Sequence, residues 1–120
     1  MAESPLRDKS EKLADRIIKL YKYLCGEHKE FTISKQILRS GTSIGANVAE
    51  AGSASSVKDF ISKLTIAAKE CSETIYWLKR LKACGLITQK GFDSIYNDCS
   101  EIGKILTSSL KTSKKNLKDN

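Results

Sequence analysis

Apolar residues recur along this chain at intervals of three and four, the spacing that lines one face of an α-helix. Leu13, Ile17, Leu20 and Leu24 form the first stripe and predict a helix from about Asp8 to Leu24. Ser4 is placed to cap it, with Pro5 in the first turn and Gly26 as its stop. Ile33, Ile37, Ile44, Val48 and Ala51 predict a second helix over 33–51, followed by a Gly52–Ala54 connection. Ser56 and Asp59 open a third in the manner of a capping box. Its stripe is Phe60, Leu64, Ala67, Cys71, Ile75 and Leu78, and it ends near Gly85 after about 29 residues, roughly 43 Å of rise. Thr88 caps a fourth helix whose stripe is Phe92, Ile95, Cys99, Ile102, Leu106 and Leu110.

No alternating pattern and no internal repeat interrupts these stripes. The expected fold is all-α: an antiparallel up-and-down four-helix bundle forming one domain over residues 1–110. Beyond Leu110 the period is lost, and residues 111–120 read as a flexible basic tail.

The second helix departs from an ordinary amphipathic one. Beside its apolar stripe run Gln36, Arg39, Ser40, Ser43, Asn47 and Glu50, a polar row at helical spacing. Opposite lie Leu38, Thr42, Gly45, Ala46 and Ala49, where a solvated face would carry lysine and glutamate. Gly41 and Gly45 each cost a helix about 1 kcal/mol against alanine, a cost that close packing offsets. The small face therefore predicts contact with a second copy of the chain. Gln36, Arg39, Ser43, Asn47 and Glu50 read either as a half-buried hydrogen-bond network fixing helix register or, through Arg39, as part of a nucleic-acid surface. Ile66 and Trp77, off the core stripe of the third helix, read as interface anchors or as cover for the bundle edge.

Composition narrows the functional classes. Hydrophobic residues make up 40% and charged residues 29% of 120, values that suit a globular domain. No apolar run reaches the roughly 20 residues of a membrane span, and the first residues lack a signal peptide's apolar stretch, so a cytoplasmic location is expected. Cys25, Cys71, Cys84 and Cys99 form no paired motif, and the lone His28 gives them no metal partner at usual spacing. Cys71 and Cys99 fall on apolar faces and are expected as buried thiols, and neither metal nor cofactor is expected.

The net charge of +7 favours polyanions. Two strips combine cations with an aromatic: Lys12, Arg16, Lys19 and Tyr23 on the first helix, and Lys58, Lys69, Tyr76 and Arg80 on the third. Lysine or arginine next to tyrosine suits phosphate contact plus base stacking, although lysine also decorates ordinary solvated faces. Catalysis has no constellation here. A helical-bundle ribonuclease needs an arginine followed four to six residues later by histidine, and His28 has none, so no enzyme is expected.

Gln36-x-x-Arg39-Ser40-x-x-Ser43-Ile44-x-Ala46-Asn47-Val48-Ala49-Glu50 resembles the signature of the four-helix bundle family of 23S ribosomal RNA intervening-sequence proteins, also called S23. That signature reads roughly Arg-x-x-x-Ser-x-x-x-Asn-Ile-Ala-Glu-Gly. Asp59-Phe60, Leu64-x-Ile66-Ala67, Glu70 and Glu73 resemble its next helix, so the likeness covers about Gln36 to Leu81. Ala51 stands where a glycine is usual and Cys71 where a serine is common. The accessory variability determinant of diversity-generating retroelements is similar. The resemblance implies a ring-like homopentamer and a nucleic-acid-associated role with RNA or DNA. A reverse transcriptase or a ribosomal component is the implied protein partner. The alternative expectation is a protein-interaction scaffold without direct nucleic-acid contact.

Overall fold

A computed structural model describes residues 4–119 as four helices: α1 (Pro5–Glu27), α2 (Ile33–Ala51), α3 (Val57–Ala83) and α4 (Gln89–Asp119). Among the described residues there is no strand. Each start is written in the sequence. Ser4 Oγ accepts from the Arg7 amide at 3.1 Å, with Pro5 in the first turn, so the opening of α1 is as expected. Ser56 Oγ caps α3 by accepting from the Asp59 amide at 3.0 Å, and Thr88 Oγ1 accepts from the Gly91 amide at 3.0 Å at the head of α4.

The α1–α2 turn is built differently from expectation. Gly26 does not stop α1, which runs to Glu27, and the chain turns at Lys29 with φ 52°. The cap of α2 is the Glu30 carboxylate, which accepts from the amides of Thr32, Ile33 and Ser34 at 3.0, 2.9 and 2.7 Å. Those three donors would otherwise be orphans of the helix start. Burial raises the Glu30 carboxyl, but the amides of Ile33, Ser34 and Thr32 outweigh it and leave it below the ordinary carboxylate value.

The predicted stripes meet in one core. Leu13, Ile17, Leu24, Ile37, Ile44, Leu64, Leu78, Ile102 and Leu106 are fully buried, each contributing roughly 1.5–3 kcal/mol. Cys71 and Cys99 are buried thiols within it. Ile33, Phe60, Ile75 and Leu110 sit at its edge, half-buried. Four polar residues are also buried: Ser10, Ser34, Ser40 and Thr74.

The helices meet through named pairs. Ser10 faces Gly45, Ile17 faces Gly41, and Cys25 Sγ lies 3.6 Å from Ser34 Oγ between α1 and α2. Thr74 faces Ser40 and Lys63 faces Glu50 between α3 and α2. Cys71 Sγ donates to the Cys99 carbonyl at 3.2 Å between α3 and α4, and Lys9 and Arg16 of α1 reach Glu101 and Asp98 of α4.

One boundary needs correction. The loss of apolar period after Leu110 predicted a tail, yet helical backbone continues to Asp119. From Lys111 to Lys118 every side chain but Ser113 is exposed, so this stretch is helix without a buried face. Lysine is a good helix former, and Lys118 in the last turn complements the helix dipole. An exposed helix leaves no hydrophobic period to read.

Candidate nucleic-acid interface

The first-helix strip is largely spoken for by carboxylates. Arg16 Nη1 lies 2.6 Å from Asp98 Oδ2, and its Nη2 donates to Ser94 Oγ at 2.8 Å. It therefore clasps α1 to α4, and its charge is half-neutralised before any phosphate arrives. Lys12 lies 3.2 Å from Asp8 on its own helix. Tyr23 pairs its hydroxyl with His28 Nε2 at 3.0 Å, the rings edge to face at 5.1 Å. Lys19 alone of the four has neither an ion pair nor a side-chain hydrogen bond among the described residues.

The polar row of α2 is not one network. Arg39 reaches across to α3, pairing with Glu70 at 3.0 Å and with Glu73. Glu73 also accepts from Trp77 Nε1 at 3.2 Å. Burial raises the Glu73 carboxyl, but hydrogen bonds from Arg39 and Trp77 outweigh it and leave it below its ordinary value. Beside this pair, Thr74 Oγ1 lies 2.9 Å from Ser40 Oγ and 2.8 Å from the Glu70 carbonyl, both residues buried. Asn47 bonds only within its helix, to the Ser43 carbonyl at 2.9 Å and Oγ at 3.3 Å. Glu50 is exposed and pairs with Lys63 at 3.3 Å, while Gln36 is exposed with no side-chain hydrogen bond among the described residues. The expected Gln36–Arg39–Ser43–Asn47–Glu50 network thus resolves into cross-helix contacts made at Arg39, Ser40 and Glu50. The reason is geometric: α3 supplies Glu70, Thr74 and Lys63 closer to these groups than they stand to one another. Arg39, given two carboxylates, is a structural cation before it is a phosphate contact.

The small face of α2 also has a partner inside the chain. A Cβ at Gly45 would lie 3.3 Å from the Ser10 carbonyl oxygen, so α1 packs closely against Gly45 within the chain. Leu38 packs against the core as well. Thr42 and Ala49 are half-buried and Ala46 is exposed, which leaves a narrow outward strip of small residues. On α3, Ile66 is 39% exposed, whereas Trp77 is half-buried against the core and bonded to Glu73. Trp77 therefore covers the α2–α3 edge.

The third-helix strip is the one left open. Lys58, Lys69, Tyr76 and Arg80 are all exposed, and none of the three cations has a carboxylate partner among the described residues. Arg80 lies over the Tyr76 ring at 5.6 Å from its centroid, a cation–π contact that leaves Tyr76 54% exposed. Lys104 and Lys111 of α4 flank the adjoining α3–α4 groove, and sequence reading passed over them. Their signal was available: they flank the stripe Cys99, Ile102, Leu106 and Leu110 in a helical row with Ser100 and Thr107, a row that also carries Asp93 at its start.

The comparisons agree with the fold. A family model described as 23S rRNA-intervening sequence protein matches residues 3–108. The chain is similar to a crystal structure described as a protein with unknown function from the S23 ribosomal protein family of Bacteroides thetaiotaomicron VPI-5482. The two share 56% identity over 88% of this chain and 98% of that one, with a TM-score of 0.88. No curated protein matches. With the helix order, the Gln36–Glu50 signature and the family match in agreement, this chain belongs to the 23S rRNA-intervening sequence protein family.

Proposed function

We propose that this protein is a non-enzymatic, cytoplasmic, oligomeric accessory protein that contacts RNA or DNA through basic helix faces. Its unit is an antiparallel up-and-down bundle, a reading supported by the pairings Ile17–Gly41, Ser10–Gly45, Ser40–Thr74 and Glu50–Lys63. In this reading the units assemble as a ring-like homopentamer, with Thr42, Ala46, Ala49 and Ile66 as the outward small and apolar surface available for it. A ring repeats each basic face, so weak contacts add.

The observation that carries the reading is the α3 strip, where Lys58, Lys69 and Arg80 stand exposed and free of carboxylates beside Tyr76. Membership of a family named for ribosomal RNA insertions supports RNA as the first ligand to try. The test is titration of a labelled 23S rRNA fragment and of duplex DNA across a salt series. Affinity should fall steeply as salt rises, because bound phosphates release counterions. Lys69→Glu with Arg80→Glu should weaken binding and flatten that salt slope. Absence of salt-sensitive binding overturns the nucleic-acid reading, and a sedimentation mass near 13.3 kDa overturns the oligomer.

A scaffold for a reverse transcriptase or ribosomal component is the second reading, favoured by exposed Phe31, Val57 and Ile66. A single protein captured after nuclease treatment, with no nucleic acid bound, would support it.

A further inference from the structure

The acids and bases of this bundle are sorted by seam. Every ion pair among the described residues lies within α1, between α1 and α4, or between α2 and α3. The carboxylates of α3 are drawn to the cap or to α2: Asp59 accepts from the Ser55 amide, and Glu70 and Glu73 hold Arg39. Those of α4 turn toward its first turn or toward α1: Asp93 bonds Gln89, Asp98 bonds Arg16, and Glu101 bonds Lys9. Among the described side chains the seam between α3 and α4 receives none.

Along that seam runs an open groove of about 620 Å³. Its floor includes Ala68 and Gly103, small enough to leave a channel, and its walls carry Lys104 and Lys111. The hydroxyls of Ser72, Ser100 and Ser108 also line it and have no hydrogen-bond partner among the described residues. Lysine ammonium groups and free hydroxyls, with no competing acid, are the donors that phosphodiester oxygens accept from. One turn beyond Ser72 on α3, just outside the groove lining, stands Tyr76, its ring exposed, backed by Arg80 and set edge to face against Trp77 at 4.9 Å. A duplex keeps its bases stacked out of reach of such a ring, whereas an unpaired strand can lay a base on it.

We propose that the α3–α4 groove is the track for a single-stranded nucleic-acid segment, with its backbone on Lys104, Lys111 and the groove hydroxyls and an unpaired base on Tyr76. This rests on the nucleic-acid reading above and names the face and the strand state. It displaces the α1 strip, whose Arg16 and Lys12 are already paired.

The experiment uses the full chain with labelled oligouridylate and with an RNA duplex of equal length. Lys104→Glu with Lys111→Glu tests the track, Lys12→Glu with Lys19→Glu serves as the α1 comparison, and Tyr76→Ala tests stacking. All are surface positions, and far-UV circular dichroism checks that each variant keeps its helices. The groove pair should lose at least about tenfold in single-strand affinity, because two phosphate contacts are reversed in sign. Tyr76→Ala should cost about tenfold on the single strand and leave the duplex unchanged. If the α1 pair abolishes binding while the groove pair retains it, the groove assignment is wrong and the nucleic-acid reading survives. Tighter binding of duplex than of single strand, or equal loss on both in Tyr76→Ala, overturns the strand assignment. If the native chain binds neither polymer at low salt, both readings fall.

Discussion

A Cβ added to Gly41 would sit 2.7 Å from Ile17 Cγ1 and 2.8 Å from its Cγ2, so α2 lies against α1 at a distance that only a glycine permits. Ile17 is fully buried and cannot swing aside without opening the core. Gly41→Ala should therefore destabilise the protein, by about 1–3 kcal/mol for overpacking less the ~1 kcal/mol that alanine returns to the helix. Gly26→Ala is the matched control. Nothing lies within 4 Å of its new methyl, so thermal denaturation should show no loss and a gain of up to about 1 kcal/mol. A stabilising Gly41→Ala would mean that the α1–α2 seam is looser than these contacts.

The buried hydroxyl pair makes a sharper test. Ser40 and Thr74 satisfy one another at 2.9 Å where water does not reach. Thr74→Val should cost about 1–3 kcal/mol, because Ser40 is left to the weaker Ile37 carbonyl at 3.4 Å. Adding Ser40→Ala should recover part of that loss, since both polar groups are then gone. Urea denaturation of the two single variants and the double gives the coupling, and strictly additive losses would refute the pairing.

Acid sensitivity follows from two carboxyls. Glu30 and Glu73 are both held below their ordinary value of 4.5 in the folded chain. A depressed folded value means that the unfolded chain takes up the proton first as pH falls. The stability these groups supply is therefore complete above the ordinary value and drains away as pH drops through their folded values. Glu30→Gln should lower stability at neutral pH by about 1 kcal/mol, as loss of a helix cap does, and should flatten the decline in acid. Denaturant midpoints measured between neutral and acid pH check both, and an unchanged slope in the variant would contradict the cap.

Thiol labelling reads the core directly. Burial, with the neighbouring Cys71 next in weight, pushes the Cys99 thiol up to about 12, and burial raises Cys71 also. Thiolate is the reactive form, so neither should label in the native protein. Cys84 is exposed and Cys25 half-buried. Brief maleimide treatment followed by mass spectrometry should find Cys84 modified first and Cys71 and Cys99 only after denaturation. Modification of Cys99 in folded protein would show that the core opens.

Most of the architecture is legible in the chain because helix stripes are long-range averages. Leu13, Ile17, Leu24, Ile37, Ile44, Leu64, Leu78, Ile102 and Leu106 were predicted and are fully buried. The caps Ser4, Ser56 and Thr88 were legible because capping is local chemistry. Partnership was not. A helical projection shows that Arg39 and Glu50 share a face, but not that α3 brings Glu70, Glu73 and Lys63 to them. The same limit hid why Gly45 is small: the residue it yields to, Ser10, lies in another helix. Nor could periodicity find the last turns of α4, which bury almost nothing. For the basic strips, residue type located the cations, and only the fold separated paired Arg16 and Arg39 from open Lys69 and Arg80.

The sorting of charge has a mechanical corollary. Two of the bundle's four seams, α1–α4 and α2–α3, are laced by ion pairs, whereas the α3–α4 seam is held by apolar contact, the Cys71–Cys99 hydrogen bond and Lys82 over the Phe92 ring. Concentrated electrolyte would slacken the laced seams and leave the apolar contact between α3 and α4 untouched. The helices that carry Lys104 and Lys111 would thus stay paired under salt conditions that release the proposed strand.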